Sequence, residues 1–389
     1  MPRLLRGEWS LPTQIWSGPG RLAELSRACR QLAIARPLAV IDPGLAALPF
    51  VVQAMAQLRQ AGLGVEIFSE LAANPGEAHV AAGVAACRAG GHDGLVAIGG
   101  GSAMDTAKAI ALMAGQTRPL LDFVDVGDNW RRADTGAILP VVAVPTTAGT
   151  GSEVGRSAVV TAVASQRKVV IYHPALMPGL VIADPELTVS LPPGLTAATG
   201  MDALSHALEA YCVNAYHPIC DGIALEGMRL VARWLRVAVA DGGDIEARAQ
   251  MLTAAAMGAT AFQKGLGAMH AMSHPCSARH GTQHGLTNAV LMPYVLAYNR
   301  PAIEERMEIL ARLLGLPNPG FGAVLDWILA LRQEIGIPHA LADLGIGEGD
   351  IEHLAPDALA DPLTQLNPVP VSEMDYRALY KQAIRGGIG

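Results

Sequence analysis

The chain has 389 residues, of which 51% are hydrophobic and 16% charged, with a formal net charge of −7. Domains usually run to about 100–200 residues, so this length favours two of them, and the apolar content excludes a disordered chain. Much of that content is alanine, and no apolar run reaches the roughly 18 residues of a membrane span. No polybasic run offers a nucleic-acid surface, so a nucleic-acid partner is not expected.

The opening MPRLLRGEWSLPTQIW has basic residues but no long apolar segment or small-residue cleavage site, and it does not read as a secretory signal. The five cysteines (Cys29, Cys87, Cys212, Cys220 and Cys276) form no C-x-x-C pair, which fits structural thiols in a reducing, cytoplasmic setting.

Along the first half, short β-rich runs alternate with helical stretches. PLAVIDPG predicts a strand and turn, Pro49 to Ala61 a helix, and GVEIFSE the next strand. Glu77 to Ala89 is helical, DGLVAIGGGS is a strand running into a glycine turn, AMDTAKAIALMA is a helix and LPVVAVPTT a strand. This alternation predicts a Rossmann-like α/β domain with a parallel sheet and helices on both faces. LPPGLTAATG breaks the pattern near Leu187 to Pro193. Beyond it the segments are helical only, including Met201 to Tyr211, Cys220 to Val239, Ile245 to Gln263 and Ala289 to Asn299. The predicted domains are an α/β domain over 1–187 and an all-helical domain over 188–389.

GGGSAMDTAK (Gly99 to Lys108) follows the strand LVAI and opens a helix. Its glycines let backbone approach an anion, and a helix N-terminus offers free N–H groups to phosphate. The usual G-x-G-x-x-G spacing is absent, because Met104 stands at the third glycine position. A second loop, PTTAGTGSE (Pro145 to Glu153), carries Thr146, Thr147, Thr150 and Ser152 after another strand. Either loop alone reads equally as an ordinary turn. Together they suggest a ligand, since open α/β sheets bind ligands at the carboxyl ends of their strands. Asp42 ends the strand LAVID, where a carboxylate accepts hydrogen bonds from an adenosine ribose and favours NAD over NADP. It serves equally well as the first residue of an Asp-Pro-Gly turn. Asn74 and Lys168 are open in the same way.

In the second half, Asp202 and His206 lie four residues apart on a predicted helix and share a face. His270, His274, His280 and His284 then fall within fifteen residues, four of the eleven histidines in the chain. His270 and His274 again share a face, and Pro275 is expected to end or kink their helix, so that the following segment returns His284 to the same place. One carboxylate with three imidazoles suits Fe2+ or Zn2+.

These motifs, in this order, resemble the iron-containing (group III) alcohol dehydrogenase family over nearly the whole chain. GGGSAMDTAK and PTTAGTGSE are similar to its two cofactor loops. GMDALSHALEAY is similar to its first metal segment, and GLGAMHAMSHP with HGLTNAVLMPYV to its second. LADPLTQLNPVPVS is similar to its C-terminal pattern. The resemblance implies a nucleotide-binding domain followed by a helical one, with the site in the cleft between them and a homodimeric assembly. It implies metal ligands Asp202, His206, His270 and His284, with His274 a neighbouring non-ligand that contacts cofactor and substrate; His274 is then the candidate proton relay, and a structural histidine packed beside the metal is the alternative. Cofactor contacts would come from Asp42, Asn74, Gly100, Gly101, Ser102, Asp105, Thr146, Thr147, Thr150 and Lys168. The chain departs from the family pattern at Ser277, Arg279, Gln283 and Val369, which leaves the substrate pocket open.

The implied reaction moves a hydride between NAD(H) and a primary alcohol or aldehyde, or a ketone, with the substrate oxygen on the metal. Rival readings are a dehydroquinate-synthase-like lyase, which would need several cations for a polyanionic substrate, and a maleylacetate-reductase-like enzyme, which commonly lacks the metal set. A filament-forming structural role accounts for neither the cofactor loops nor the ligand quartet. Lys264 and Arg279 flank the metal segment and raise the expectation of an acidic substrate; solvated surface charges are the plainer alternative.

Overall fold

The computed structural model describes residues 13–164 and 167–388, so the opening basic segment lies outside the described residues. The chain forms two compact units. One comprises Leu11–Thr147 with Gly151–Ser190, and the other comprises Leu191–Gly389 with Ala148–Thr150.

The strands of the first unit are β1 (Gln14–Ser17), β2 (Pro37–Ile41), β3 (Glu66–Phe68), β4 (Gly94–Gly99), β5 (Val141–Pro145), β6 (Ser157–Ala162), β7 (Arg167–Tyr172) and β8 (Leu180–Ala183). Six of them form a parallel sheet in the order β1-β8-β5-β4-β2-β3. The central strands β2, β4 and β5 are buried along their whole length, which is why PLAVI, GLVAIG and VVAVP read as continuous apolar runs rather than alternating ones. Helices α1 (Leu25–Gln31), α2 (Pro49–Gln60), α3 (Glu77–Ala89) and α4 (Gly101–Met113) belong to this unit. Leu25, Val51, Met55 and Leu58 from α1 and α2 join Ile41, Ile98 and Val144 from the strands in one core. From β2 the chain goes to β3 on one side, then to β4 on the other, so the winding reverses between β2 and β4. Strands β6 and β7 form a separate antiparallel ribbon.

The second unit is helical: α5 (Pro193–Cys212), α6 (Pro218–Ala240), α7 (Ile245–Ala261), α8 (Ala268–His280), α9 (His284–Leu313), α10 (Phe321–Glu334), α11 (Ile351–Ala360) and α12 (Glu373–Arg385). Two expectations need correction. The strand–helix alternation does end near Leu191, but the first helix starts earlier than Met201: PGLTAATG forms the opening turns of α5. Pro193 stands at the first helical position, where its fixed φ and missing N–H are tolerated. Gly200 inside α5 admits a close approach of α6, since a Cβ there would meet Leu235 Cδ1 at 2.2 Å. Pro275 does not end α8, which continues to His280 and stops at Gly281 in the left-handed region (φ 66°). Burial of Pro275 and its neighbours Cys276 and Ser277 compensates the hydrogen bond that the proline removes. His284 therefore starts a new helix, and the expected 289–299 helix is one stretch of α9, which runs on through Pro293 and Pro301.

Candidate active site

The register of the parallel sheet sets Ile41 beside Ile98 and Gly99 beside Pro145. Asp42, Gly100, Gly101, Ser102, Thr146 and Thr147 consequently emerge along one carboxyl edge, at the β2/β4 reversal where open α/β sheets place ligands. Gly99 has φ 155°, and a Cβ there would lie 2.6 Å from the Ala103 side chain, so the turn from β4 into α4 requires glycine. Gly100 precedes α4 in extended conformation, and no side chain caps that helix. Its first N–H groups are thus left to an anionic ligand. Asp42 Oδ1 accepts a hydrogen bond from Gly44 N at 2.9 Å, which is the turn-forming role. Asn74 precedes Gly76, which bridges to Thr161 of β6, and Thr161 pairs across the ribbon with Lys168 of β7. Thr150 groups with the helical unit, in the segment Ala148–Thr150.

Asp105, a cofactor contact by resemblance, is engaged within the protein as well. Its Oδ1 accepts from Ser152 Oγ at 2.6 Å and its Oδ2 from Val159 N at 3.1 Å. Lys108, one turn later on α4, is buried and donates to Ser152 O at 3.0 Å, to Ser152 Oγ at 2.6 Å and to Ser157 O. Burial lowers the pKa of its amine, and Asp105 and Glu153 act in the opposite direction. Asp105 and Lys108 thus anchor the end of the second loop to the helix that starts at the first.

In the helical unit, α5 carries Asp202 and His206, α8 carries His270, and α9 begins with His284. One donor atom from each lies within 4.8 Å of all the others. Opposite donors on an ion with bonds of about 2.0–2.2 Å stand about 4.4 Å apart at most, so the set comes within a few tenths of an ångström of what one ion requires. Asp202 Oδ1 faces His206 Nε2 at 3.9 Å and His284 Nε2 at 3.8 Å. The histidines are oriented from behind. His270 Nδ1 meets Glu209 Oε2 at 2.6 Å, and His284 Nδ1 meets Ser273 Oγ at 2.9 Å. A carboxylate on Nδ1 keeps the proton there and turns the Nε2 lone pair of His270 toward the cluster. Burial, then the neighbouring His206, holds His270 well below the ordinary histidine pKa, so it stays neutral and able to ligate. The residues fit a divalent cation.

Glu209 also accepts from Met269 N at 2.7 Å. Burial pushes its pKa up to about 7, opposed by the hydrogen bonds at Gly267, Met269 and His270. A Glu209→Gln variant can turn an amide N–H toward His270 Nδ1, which favours the tautomer with its proton on Nε2. The expected result is about 10- to 100-fold weaker retention of metal, measured by chelator competition. Unchanged retention would show that Glu209 does not set the tautomer.

His274 stands beside the quartet, its ring stacked on His284 with centroids 5.5 Å apart. Its Nδ1 meets Asp361 Oδ2 at 2.7 Å, while Asp361 Oδ1 accepts from Leu363 N at 2.9 Å. Burial raises the Asp361 pKa, but the His274 hydrogen bond and charge outweigh this and leave it lowered. His280 turns away toward Asp350, 3.7 Å distant. Both flanking cations are paired, Lys264 out of solvent and Arg279 on the exposed surface. Lys264 is buried and donates to Asp221 Oδ1 at 2.5 Å, and Arg279 grips Asp357 Oδ2 at 2.6–2.7 Å. With both paired in this way, these two cations no longer motivate an acidic substrate, nor do they supply a polyanion-binding lyase site.

Sequence reasoning missed Glu209, Ser273, Asn288 and Asp361. Helical spacing could have found the first three: Glu209 follows His206 by three residues, Ser273 follows His270 by three, and Asn288 follows His284 by four. Asp361 reaches His274 from 87 residues away, and no local signal marks it.

A nucleotide-type sheet edge in one unit and a carboxylate–imidazole metal site in the other define a class, the metal-site α/β oxidoreductases. Residues 12–185 match the family model for iron-containing alcohol dehydrogenase, and residues 196–384 match the C-terminal model of the Fe-containing alcohol dehydrogenase family. The 4-hydroxybutyrate dehydrogenase of Cupriavidus necator is 39% identical over 376 residues, covering 94% of this chain and 96% of the relative. The NAD-dependent methanol dehydrogenase of Bacillus methanolicus is 39% identical over 374 residues, covering 94% and 97%. A crystal structure of 1,3-propanediol oxidoreductase matches with a TM-score of 0.92 at 36% identity, covering 97% of this chain and all of that one. The chain belongs to the iron-containing alcohol dehydrogenase family and is an oxidoreductase. Among the described residues no helix is long and apolar enough to cross a membrane.

Proposed function

We propose that this enzyme moves a hydride between NAD(H) and a small primary alcohol or its aldehyde, with Fe2+ or Zn2+ held by Asp202, His206, His270 and His284. The observation that carries the reading is the gathering of these four donors, two of whose imidazoles are oriented from behind by Glu209 and Ser273. The bound ion supplies Lewis acidity at the alcohol or carbonyl oxygen, and NAD supplies the hydride acceptor or donor. Asp42, Asn74, Gly100, Gly101, Ser102, Thr146, Thr147, Thr150 and Lys168 are the residues assigned to the cofactor, with Asp105 acting through the loop it anchors. Asp361 keeps a proton on His274 Nδ1, which leaves Nε2 to take and return the alcohol proton. The preference for NAD rests on Asp42 and on the NAD-dependent relative. The names of the relatives support small alcohols and hydroxyacids as substrates. A reducing, cytoplasmic setting fits five cysteines that are all free and buried. A homodimer and a division of labour near residue 188 complete the reading.

The test is NADH consumption with a panel of neutral and acidic aldehydes, using chelator-stripped enzyme with and without added Fe2+ or Zn2+. Stripping is expected to abolish turnover and one of the two ions to restore it. Full activity in the stripped enzyme would end the metal-dependent reading.

A further inference from the structure

Asn288 lies on α9 one turn after His284 and is fully buried. Its amide Nδ2 stands 3.0 Å from Asp202 Oδ1, 3.2 Å from His270 Nε2 and 3.2 Å from His284 Nε2. These are donor atoms of the quartet itself, not the back sides of the ligands where Glu209 and Ser273 act. The carboxamide oxygen Oδ1 is buried and has no hydrogen-bond partner among the described residues. An unsatisfied buried acceptor is costly, so the pull of three acceptors on the nitrogen end must outweigh that cost to hold the amide this way.

We propose that Asn288 is a placeholder for the ion: in the metal-free protein its two amide N–H groups are shared among the lone pairs of Asp202, His270 and His284 that the ion takes on loading. The inference rests on the metal reading above and adds a sign to it. A residue that orients a ligand from behind stabilises the loaded state, and its loss weakens metal binding. A residue that donates to the ligating lone pairs stabilises the metal-free state, and loading must give up its hydrogen bonds to the imidazoles. Asn288 therefore tunes affinity downward, keeps the buried carboxylate solvated by protein while the ion is away, and offsets the mutual repulsion of the facing lone pairs.

The test compares wild type, Asn288→Leu and Asn288→Ala, each chelator-stripped and each reloaded with Zn2+. The readouts are melting temperature and competition against a chelating dye. Asn288→Leu keeps the volume, and Asn288→Ala gives a second reading should leucine not fold. The stripped variants are expected to melt several degrees below stripped wild type. The loaded variants should fall less, so the shift on loading widens. Zn2+ affinity is expected to rise about tenfold, opposite in sign to Glu209→Gln, because the net loss of hydrogen bonds to the two neutral imidazoles is of that order. Equal losses in stripped and loaded protein, or weakened affinity, would overturn the placeholder and make Asn288 a packing or ligand-orienting residue. If wild type itself shows no Zn2+-dependent shift, the metal reading has failed and the placeholder falls with it.

Discussion

Replacing Asp202 by asparagine is expected to remove at least about a thousandfold from both metal affinity and turnover while leaving the fold in place. Asp202 is the one carboxylate in the quartet, set against three imidazoles, and it is buried. Unit charges 4 Å apart interact by about 4 kcal/mol at an effective dielectric of 20, roughly a thousandfold in affinity. A divalent ion in direct contact with the carboxylate feels more than that. Asparagine keeps the shape and an acceptor oxygen, so the 3.0 Å contact from Asn288 can persist and the α5–α9 packing need not change. The measurements are metal content after gel filtration, kcat with saturating added metal, and melting temperature of the stripped protein. Turnover within tenfold of wild type at trace metal would remove Asp202 from the ligand set.

Lys108→Met tests the other unit. Methionine fills much the same volume but cannot donate, which leaves Asp105 without its nearby cation, 3.4 Å away, and the Ser152 and Ser157 carbonyls without their donor. Breaking a buried charge pair by removing one partner costs about 3–5 kcal/mol, which corresponds to a fall in melting temperature of roughly 10 °C for a unit of this size. Weaker NADH binding is expected along with it, because Lys108 joins the helix of the first loop to the end of the second. Calorimetry and NADH fluorescence titration read the two effects separately. A melting temperature within 2 °C or so of wild type would mean that Lys108 is not holding this network together.

The motifs that carry chemistry were legible because they are local. Short continuous apolar runs marked the central strands of the parallel sheet, and the helical stretches between them marked its crossovers. The i,i+4 pairs Asp202/His206 and His270/His274 mark shared helix faces from spacing alone. What local spacing could not rank was which of four clustered histidines ligate. His280, only four residues from His284, turns to Asp350 instead. The difference arises because α8 survives Pro275 and ends at Gly281, which carries His280 round to another face while His284 opens the next helix.

Charge had the same limit. Lys264 and Arg279 read as candidate substrate contacts because their partners, Asp221 and Asp357, are 43 and 78 residues away. The sequence by itself determined the element types, the glycine turn after β4, and the donor chemistry of one carboxylate among imidazoles, all of which follow from neighbours within a turn or two. Only the tertiary structure decided which side chains stand behind the donors: Glu209 on His270, Asp361 on His274, and Asn288 facing three ligand atoms at once. Helical spacing can nominate Glu209 and Asn288 as neighbours of His206 and His284, but their contacts with His270 and Asp202, and that of Asp361 with His274, are chosen by how helices pack across 61 to 87 residues of chain.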